Sequence, residues 1–405
     1  MLPIALRRAT VVLPDRVAAR PLFIDAGRVV AHEPASAWAF DLRDHLIFPG
    51  LVNAHDHLQL NNIPHLPAHV PFPNSYAWMV AFQPYFQEPA VAGARKVPEP
   101  VRLWHGGLKN LLCGATTVAH HDPWGPPLDD PAFPVRLLRG FGWSHSLGLG
   151  LQIADCRLQI GAAHSRLSRY GPPVVESFRA TPADRPWIIH LAEGTDALAA
   201  AELSQLDALG CLAANTVLVH AVGLSAADVD RVIAASAAVV WCPASNLSLL
   251  GRTLNPRRLF DAGRLALGSD SRISGSRDLL DELRSAAQSS CLAPAELLRL
   301  ATADAGRVLG MPDVGGLDPG QCADLVIVRD GGAPHQALLG LRRAEIRAVV
   351  RDGAPAIADP EFAGWFAACG VETVRVTLDG RPKLLARPLA WPDAVELEPG
   401  LSAEF

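Results

Sequence analysis

Between about residue 46 and residue 310 the chain alternates short apolar runs that close on a polar residue with longer Ala/Leu/Arg-rich stretches of helical period. Strand followed by helix, repeated, predicts βα units built around a parallel sheet. The clearest strands span residues 46–54, 115–120, 187–191, 216–222, 238–242 and 264–268, and each ends in a residue capable of chemistry. Between them, VRLWHGGLKNLLCG repeats Val101, Leu108, Leu111 and Leu112 on one face and stops at Gly114, a left-handed cap. Ser225 opens another helix as a capping residue, and residues 278–288 form an amphipathic one. No fourth strand is identifiable between His145 and Trp187, where LGLQIADCRLQIGAAHSRLSRYGPP reads partly as helix.

The two ends of the chain read differently. Residues 1–47 alternate short apolar runs with turns and predict a small antiparallel sheet. Strand-and-turn character returns after Gly310 in GGLDPGQCADLVIVRDG and IRAVVRDGAPAIAD, so the sheet begun at the start is expected to be completed there. Residues 61–100 are Pro-rich and aromatic (Phe72, Tyr76, Trp78, Phe82, Tyr85, Phe86), which predicts a folded lid just after the first chemical motif.

Composition narrows the partners. Of the 36 basic residues only Lys96, Lys109 and Lys383 are lysines, and the net charge is −5 with no basic cluster. A nucleic-acid partner needs concentrated cationic patches, so a small molecule is expected instead. The seven cysteines are scattered without CxxC spacing, which fits neither a disulfide framework nor a thiolate zinc site, and reduced thiols point to the cytoplasm. No secretory leader and no apolar run of about 18 residues is found, so no membrane partner is expected. Self-association into a homo-oligomer stays open.

The strongest local motif is PGLVNAHDHLQL, with His55 and His57 flanking Asp56 at a strand end. Residues i and i+2 of a strand share a face, so both imidazoles converge, a spacing that suits Zn²⁺ or Fe²⁺. HxH alone is as readily a chance pair on a solvated face. However, His190 closes WIIHLAEG, His220 closes TVLVHAV, and Asp270 follows the strand in RLALGSDS. A parallel barrel gathers its strand ends at one mouth, where such residues can share an ion.

On these carriers, together with GATTVAHHD, the tetrad HLAE, VHAVGLS, WCPASNLSL, ATADAGRVLG and GGLDPGQCADLVIV, the chain resembles the amidohydrolase superfamily. Within it the likeness is to the branch of triazine hydrolases and of guanine, cytosine and S-adenosylhomocysteine deaminases. The resemblance implies an α/β fold: a distorted (β/α)8 TIM barrel over residues 48–310, with a small β-sandwich from residues 1–47 and 311–405. It implies that His55, His57, His190 and Asp270 hold the metal and that Asp270 takes a proton from its water. Glu193 then resembles the proton shuttle to the substrate nitrogen, and His220 the histidine that polarises the electrophile. His220 as a second metal ligand and Glu193 as a solvated turn carboxylate are the competing readings.

Physical chemistry supports these roles independently. A divalent ion lowers the pKa of bound water toward about 7 and yields hydroxide at neutral pH. Asp270 would orient that water, Glu193 deliver a proton, and His220 stabilise developing charge in a dry site. Binuclear members bridge two ions with a lysine from the fourth strand, and no lysine lies between Lys109 and Lys383, so one ion is expected, Zn²⁺ ahead of Fe²⁺. His120 and His121 line the pocket or serve as structural histidines, with Asp122 placed to fix a tautomer. Asn246 and Ser269 are expected to support the metal shell by hydrogen bonds. Trp78, His65, His69 and Trp124 lie over the presumed mouth, where flat substrates could stack. Arg252, Arg272 and Arg277 are expected to be surface charges. The expected reaction is attack of metal-bound hydroxide on a C–N bond, deaminating a cyclic amidine such as a purine, pterin or pyrimidine. Hydrolysis of a cyclic or linear amide is the alternative, and a non-catalytic metal-binding scaffold is the alternative of another class.

Overall fold

Eight short parallel strands form the barrel: β1 (Leu51–Asp56), β2 (Ala115–His120), β3 (Arg136–Leu137), β4 (Gly142–Ser146), β5 (Trp187–Leu191), β6 (Thr216–His220), β7 (Ala238–Trp241) and β8 (Leu265–Leu267). The computed structural model describes residues 2–66, 70–150 and 170–404. The ladders fall into two arcs, β1 to β3 and β4 to β8, every pair parallel. The amides of Ser269 and Asp270 both donate to the His55 carbonyl at 3.1 Å, joining the end of β8 to β1. Strands β1, β2 and β5 to β8 are buried at every position, as expected for a parallel sheet covered on both faces. Small and branched residues fill the barrel interior, among them Val52, Ala54, Ala119, Ile188, Val219 and Ala266.

The single strand expected over residues 46–54 is in fact two strands in two sheets. His45–Pro49 pairs antiparallel with Leu325–Arg329 in the terminal domain, and β1 begins after Gly50. A Cβ at Gly50 would lie 2.3 Å from Thr116 Oγ1 and 2.8 Å from Asp324 Cβ, so only glycine lets the chain step between the sheets. The sixth strand stops at His220, two residues early, because His220 and Ala221 take φ of 73° and 55°. The fourth strand, Gly142–Ser146, comes just before the stretch LGLQIADCRLQIGAAHSRLSRYGPP. Its sequence GWSHS is only partly buried and carries no apolar run. Residues 151–169 lie outside the described residues, and so does His69.

The terminal segments build a four-stranded and a nine-stranded sheet. The C-terminal segment completes the sheet as expected, with Leu325–Arg329 as the partner of His45–Pro49. The N-terminal part is not wholly antiparallel: Ile4–Arg7 runs parallel to Trp38–Asp41, and Thr10–Leu13 parallel to His45–Pro49.

The lid is helical: α1 (Ser75–Tyr85) and α2 (Pro89–Lys96) precede α3 (Glu99–Leu112). Asn74 caps α1 by accepting from the Ala77 amide, and α3 ends at Gly114 with φ 89°. Further along, α4 (Ala197–Ala208), α5 (Ala226–Ala234), α6 (Pro243–Leu250) and α7 (Leu279–Ser289) surround the second arc. Ser225 and Asp228 form a capping box on α5, and Asp278 caps α7. Among the described residues no helix is long and apolar enough to cross a membrane.

Candidate metal centre and active site

His55 and His57 project from the end of β1 on one face, as strand geometry requires, and His190 meets them from β5. His190 Nε2 lies 3.2 Å from His55 Nε2 and 3.3 Å from His57 Nε2. Asp270 Oδ1 stands 3.7 Å from His55 Nε2 and 3.6 Å from His57 Nε2. A tetrahedral ion with bonds of about 2.0–2.1 Å sets its donors roughly 3.3–3.4 Å apart, so the four side chains fit a divalent metal.

The hydrogen bonds behind the ring fix which nitrogen faces inward. His57 Nδ1 donates to Asp122 Oδ2 at 2.6 Å, and His190 Nδ1 donates to the His145 carbonyl at 2.6 Å. Each Nε2 then faces its neighbours across the centre, an arrangement that a bound cation stabilises. Burial holds His55 down at about 4 and His190 well below the usual imidazole range, so both stay neutral, the form that binds metal. Burial also lowers His57, but the carboxylates of Asp122, Asp270 and Asp56 outweigh it and raise the ring to about 9. His121 belongs to the same cluster: ligand atoms of His55, His57, His121 and His190 all lie within 4.8 Å of one another. Its Nε2 donates to the Ser144 carbonyl at 3.1 Å.

Asp270 follows β8 in the left-handed region, φ 54°, a strained state typical of functional strand ends. Its second oxygen accepts from Ser245 Oγ at 2.7 Å and Ser274 Oγ at 2.9 Å, leaving Oδ1 for the centre. His220 donates from Nδ1 to Asn246 Oδ1 at 2.8 Å, and its Nε2 lies 3.9 Å from Glu193 Oε2. Glu193 accepts from Trp78 Nε1 at 2.9 Å. Burial pushes its carboxyl up, while His220 and the Trp78 donor draw it back.

These groups share a cavity of about 340 Å³ lined by His57, His190, Glu193, His220 and Asp270, with Trp78, Phe82, Phe86 and Tyr170 among its aromatic walls. Trp78 reaches it from α1. His120 is buried, with Nδ1 3.4 Å from the Leu58 amide, and does not line it. Trp124 is also elsewhere, 39% exposed under the Arg139 guanidinium. His65 reaches the Ser274 carbonyl at 3.3 Å rather than the cavity. Arg272 is not a surface charge: it forms a bidentate pair with buried Glu398, while Arg277 is exposed and pairs with Asp379.

Several residues were not singled out from sequence. Asp56 accepts from Lys109 Nζ at 3.0 Å, Asn110 Nδ2 at 2.7 Å and Asn61 Nδ2 at 2.8 Å, all fully or nearly fully buried behind β1. Its place inside HDH was the available signal. Ser269, expected from sequence to support the shell, joins this group by accepting from Asn53 Nδ2 at 2.8 Å and Lys109 Nζ at 3.3 Å. His145, at the end of the unrecognised β4, and Tyr170, which donates to Asp122, line the cavity. Neither stands in a pattern that spacing could reveal.

A family model described as Amidohydrolase family matches residues 170–376, just over half of the chain. The chain belongs to the amidohydrolase family. Over 365 residues, 77% of this amidohydrolase and 79% of its relative, it is 29% identical to the 5-methylthioadenosine/S-adenosylhomocysteine deaminase of Halobacterium salinarum. Over 378 residues, 77% and 82% of the two chains, it is 26% identical to the 8-oxoguanine deaminase of Pseudomonas aeruginosa. A 33% identity to the 5-methylthioadenosine/S-adenosylhomocysteine deaminase of Pelotomaculum thermopropionicum spans only 36% of this chain and 38% of that one. Among solved structures it superposes on atrazine chlorohydrolase from Arthrobacter aurescens TC1 complexed with zinc, with TM-score 0.68, 20% identity and coverage of 90% and 99%. An adenosine deaminase from Xanthomonas campestris with bound zinc gives TM-score 0.64 at 22% identity, covering 91% and 97%. Both structural likenesses support the barrel fold.

Proposed function

We propose that this amidohydrolase is a metal-dependent deaminase that releases ammonia from a purine-like ring. The observation that carries the reading is one cavity lined by Glu193, His220 and Asp270 together with His57 and His190 of the histidine cluster. The names of the relatives that align over most of their length, deaminases of purine compounds, support the ring class. We assign the metal to His55, His57, His190 and Asp270, as a single ion, zinc ahead of iron, and the protein to the cytoplasm. A bound divalent ion supplies Lewis acidity and a nucleophile at neutral pH.

The chain's own groups handle the protons. Asp270, fixed through one oxygen by Ser245 and Ser274, turns the other toward the centre and accepts a proton from the attacking water. Glu193, whose burial favours the protonated acid, gives its proton to the ring nitrogen next to the carbon under attack. His220, anchored by Asn246, stands over the tetrahedral carbon and balances charge there. In the overall change water's oxygen bonds to the ring carbon, its two protons end on nitrogen, and the amino group leaves as ammonia. Trp78, Phe82 and Phe86 provide faces for a flat ring.

The test is ammonia release by protein loaded with one equivalent of zinc or iron, across aminopurines, their nucleosides, aminopterins and aminopyrimidines, with cyclic amides run in parallel. Ammonia from purine-like rings supports the reading. Ring opening of the amides without ammonia would replace it. Absence of stoichiometric metal and of any hydrolysis would leave a binding scaffold.

A further inference from the structure

The first turns of the lid are fastened to the strand end that carries Glu193. The Ser75 amide donates to the Glu193 carbonyl at 2.8 Å, and the Thr195 amide donates to the Pro73 carbonyl at 2.8 Å, with Asn74 and Gly194 forming an isolated antiparallel bridge. Asn74 Nδ2 also donates to Asp196 Oδ2 at 2.6 Å. A Cβ at Gly194 would stand 2.7 Å from the Pro73 carbonyl oxygen and 2.8 Å from Asn74 Cα, so the approach excludes any side chain there.

A second fastening lies deeper. Tyr76 on α1 donates to Glu202 Oε1 on α4 at 2.5 Å, and its hydroxyl accepts from the Gly148 amide at 2.8 Å. Glu202 Oε2 accepts from the Ala192 amide at 2.6 Å. Ala192, immediately before Glu193, has φ 51°, a conformation costly for a residue with a Cβ, and this bond helps hold it. One buried carboxylate thus ties the lid helix, the segment after β4 and the backbone that aims Glu193. Two residues beyond Tyr76, Trp78 gives its indole N–H to the Glu193 carboxylate.

We propose that Tyr76 and Glu202 are positioning residues for Glu193: they latch α1 onto the end of β5, and Trp78 on the latched helix fixes the carboxyl of the proton carrier. This rests on Glu193 being the proton carrier, as proposed above. The lid is then part of the proton-transfer apparatus as well as a wall of the cavity.

The test uses metal-loaded full-length protein and the variants Tyr76→Phe, Glu202→Gln and Trp78→Phe, each alone and combined with Glu193→Gln. In the Glu193 background each is expected to lower kcat about 10- to 100-fold, the cost of misplacing a reacting group by about an ångström, with metal content unchanged. In the Glu193→Gln background the same substitutions are expected to cost less than about twofold, because the group they aim is gone. Equal losses in both backgrounds would overturn the positioning role in favour of a structural one. Hydrogen exchange decides the latch without turnover: Tyr76→Phe is expected to speed exchange over residues 74–85 and 192–196 and leave the peptides of β6 to β8 unchanged. Unchanged exchange over 74–85 would overturn the latch. If the wild-type protein hydrolyses nothing in the panel, the role of Glu193 falls, and exchange alone rules on the latch.

Discussion

The imidazole of His57 is gripped from behind by Asp122, Nδ1 to Oδ2 at 2.6 Å, with both residues buried and Tyr170 donating to the other carboxylate oxygen. The bond sets the His57 tautomer and aims Nε2 at the centre. Outer partners of metal-bound histidines commonly contribute 10- to 100-fold in affinity. Asp122→Asn is therefore expected to weaken zinc by about that factor in a chelator competition. An unchanged affinity would show that the strand geometry alone aims the ring.

Glu193 and Asp270 occupy one cavity but are expected to fail differently. Glu193→Gln should retain stoichiometric metal and lose about 10²- to 10⁴-fold in kcat, the usual contribution of a positioned general acid. Asp270→Asn should lower both metal content and kcat. Metal analysis beside ammonia release separates the two, and normal turnover in Glu193→Gln would remove that residue from the proton path.

Lys109 and Asp56 are both 0% exposed. Taking one member from a buried pair strands a charge and costs about 3–5 kcal/mol. Lys109→Met is thus expected to lower the urea midpoint markedly, whereas Lys96→Met, on the exposed surface of α2, should leave it within error. Equal midpoints would mean that Asn53, Asn61 and Asn110, which all donate to Asp56, suffice.

Glu282 titrates in a useful window. Burial lifts it from 4.5 to about 8, against the Ala244 amide and the Ser276 hydroxyl and amide that draw it down. Because the folded value lies above the unfolded one, its contribution to stability is full below about pH 4.5. It declines as pH rises through about 8. Glu282→Gln should flatten the dependence of the urea midpoint on pH between 5 and 9. A variant curve parallel to the wild type would show that other groups set it.

How much was readable beforehand differs from strand to strand. His55, His57, His190, His220 and Asp270 each stand at the end of an apolar run that is fully buried on folding, so hydrophobicity marked the strand and its polar end marked the site. The two-residue β3 and the partly buried β4 carry no such run, so nothing in the pattern marks His145 at the end of β4. Residues 61–100 could be recognised as a lid, yet its first helix starts from a capping asparagine and includes Pro84, features too local to show in an averaged pattern.

Alternation of strand and helix and the chemical identity of the strand ends were legible in the residues alone, because they follow from local periodicity and from residue type. Which of these side chains share a cavity, which way each imidazole turns, and that Lys109 pairs with Asp56 are settled by the fold. Such matters depend on contacts between residues tens to hundreds of positions apart. Periodicity along the chain does not encode them, whereas barrel closure, with Asp270 and Ser269 bonded to the His55 carbonyl, does.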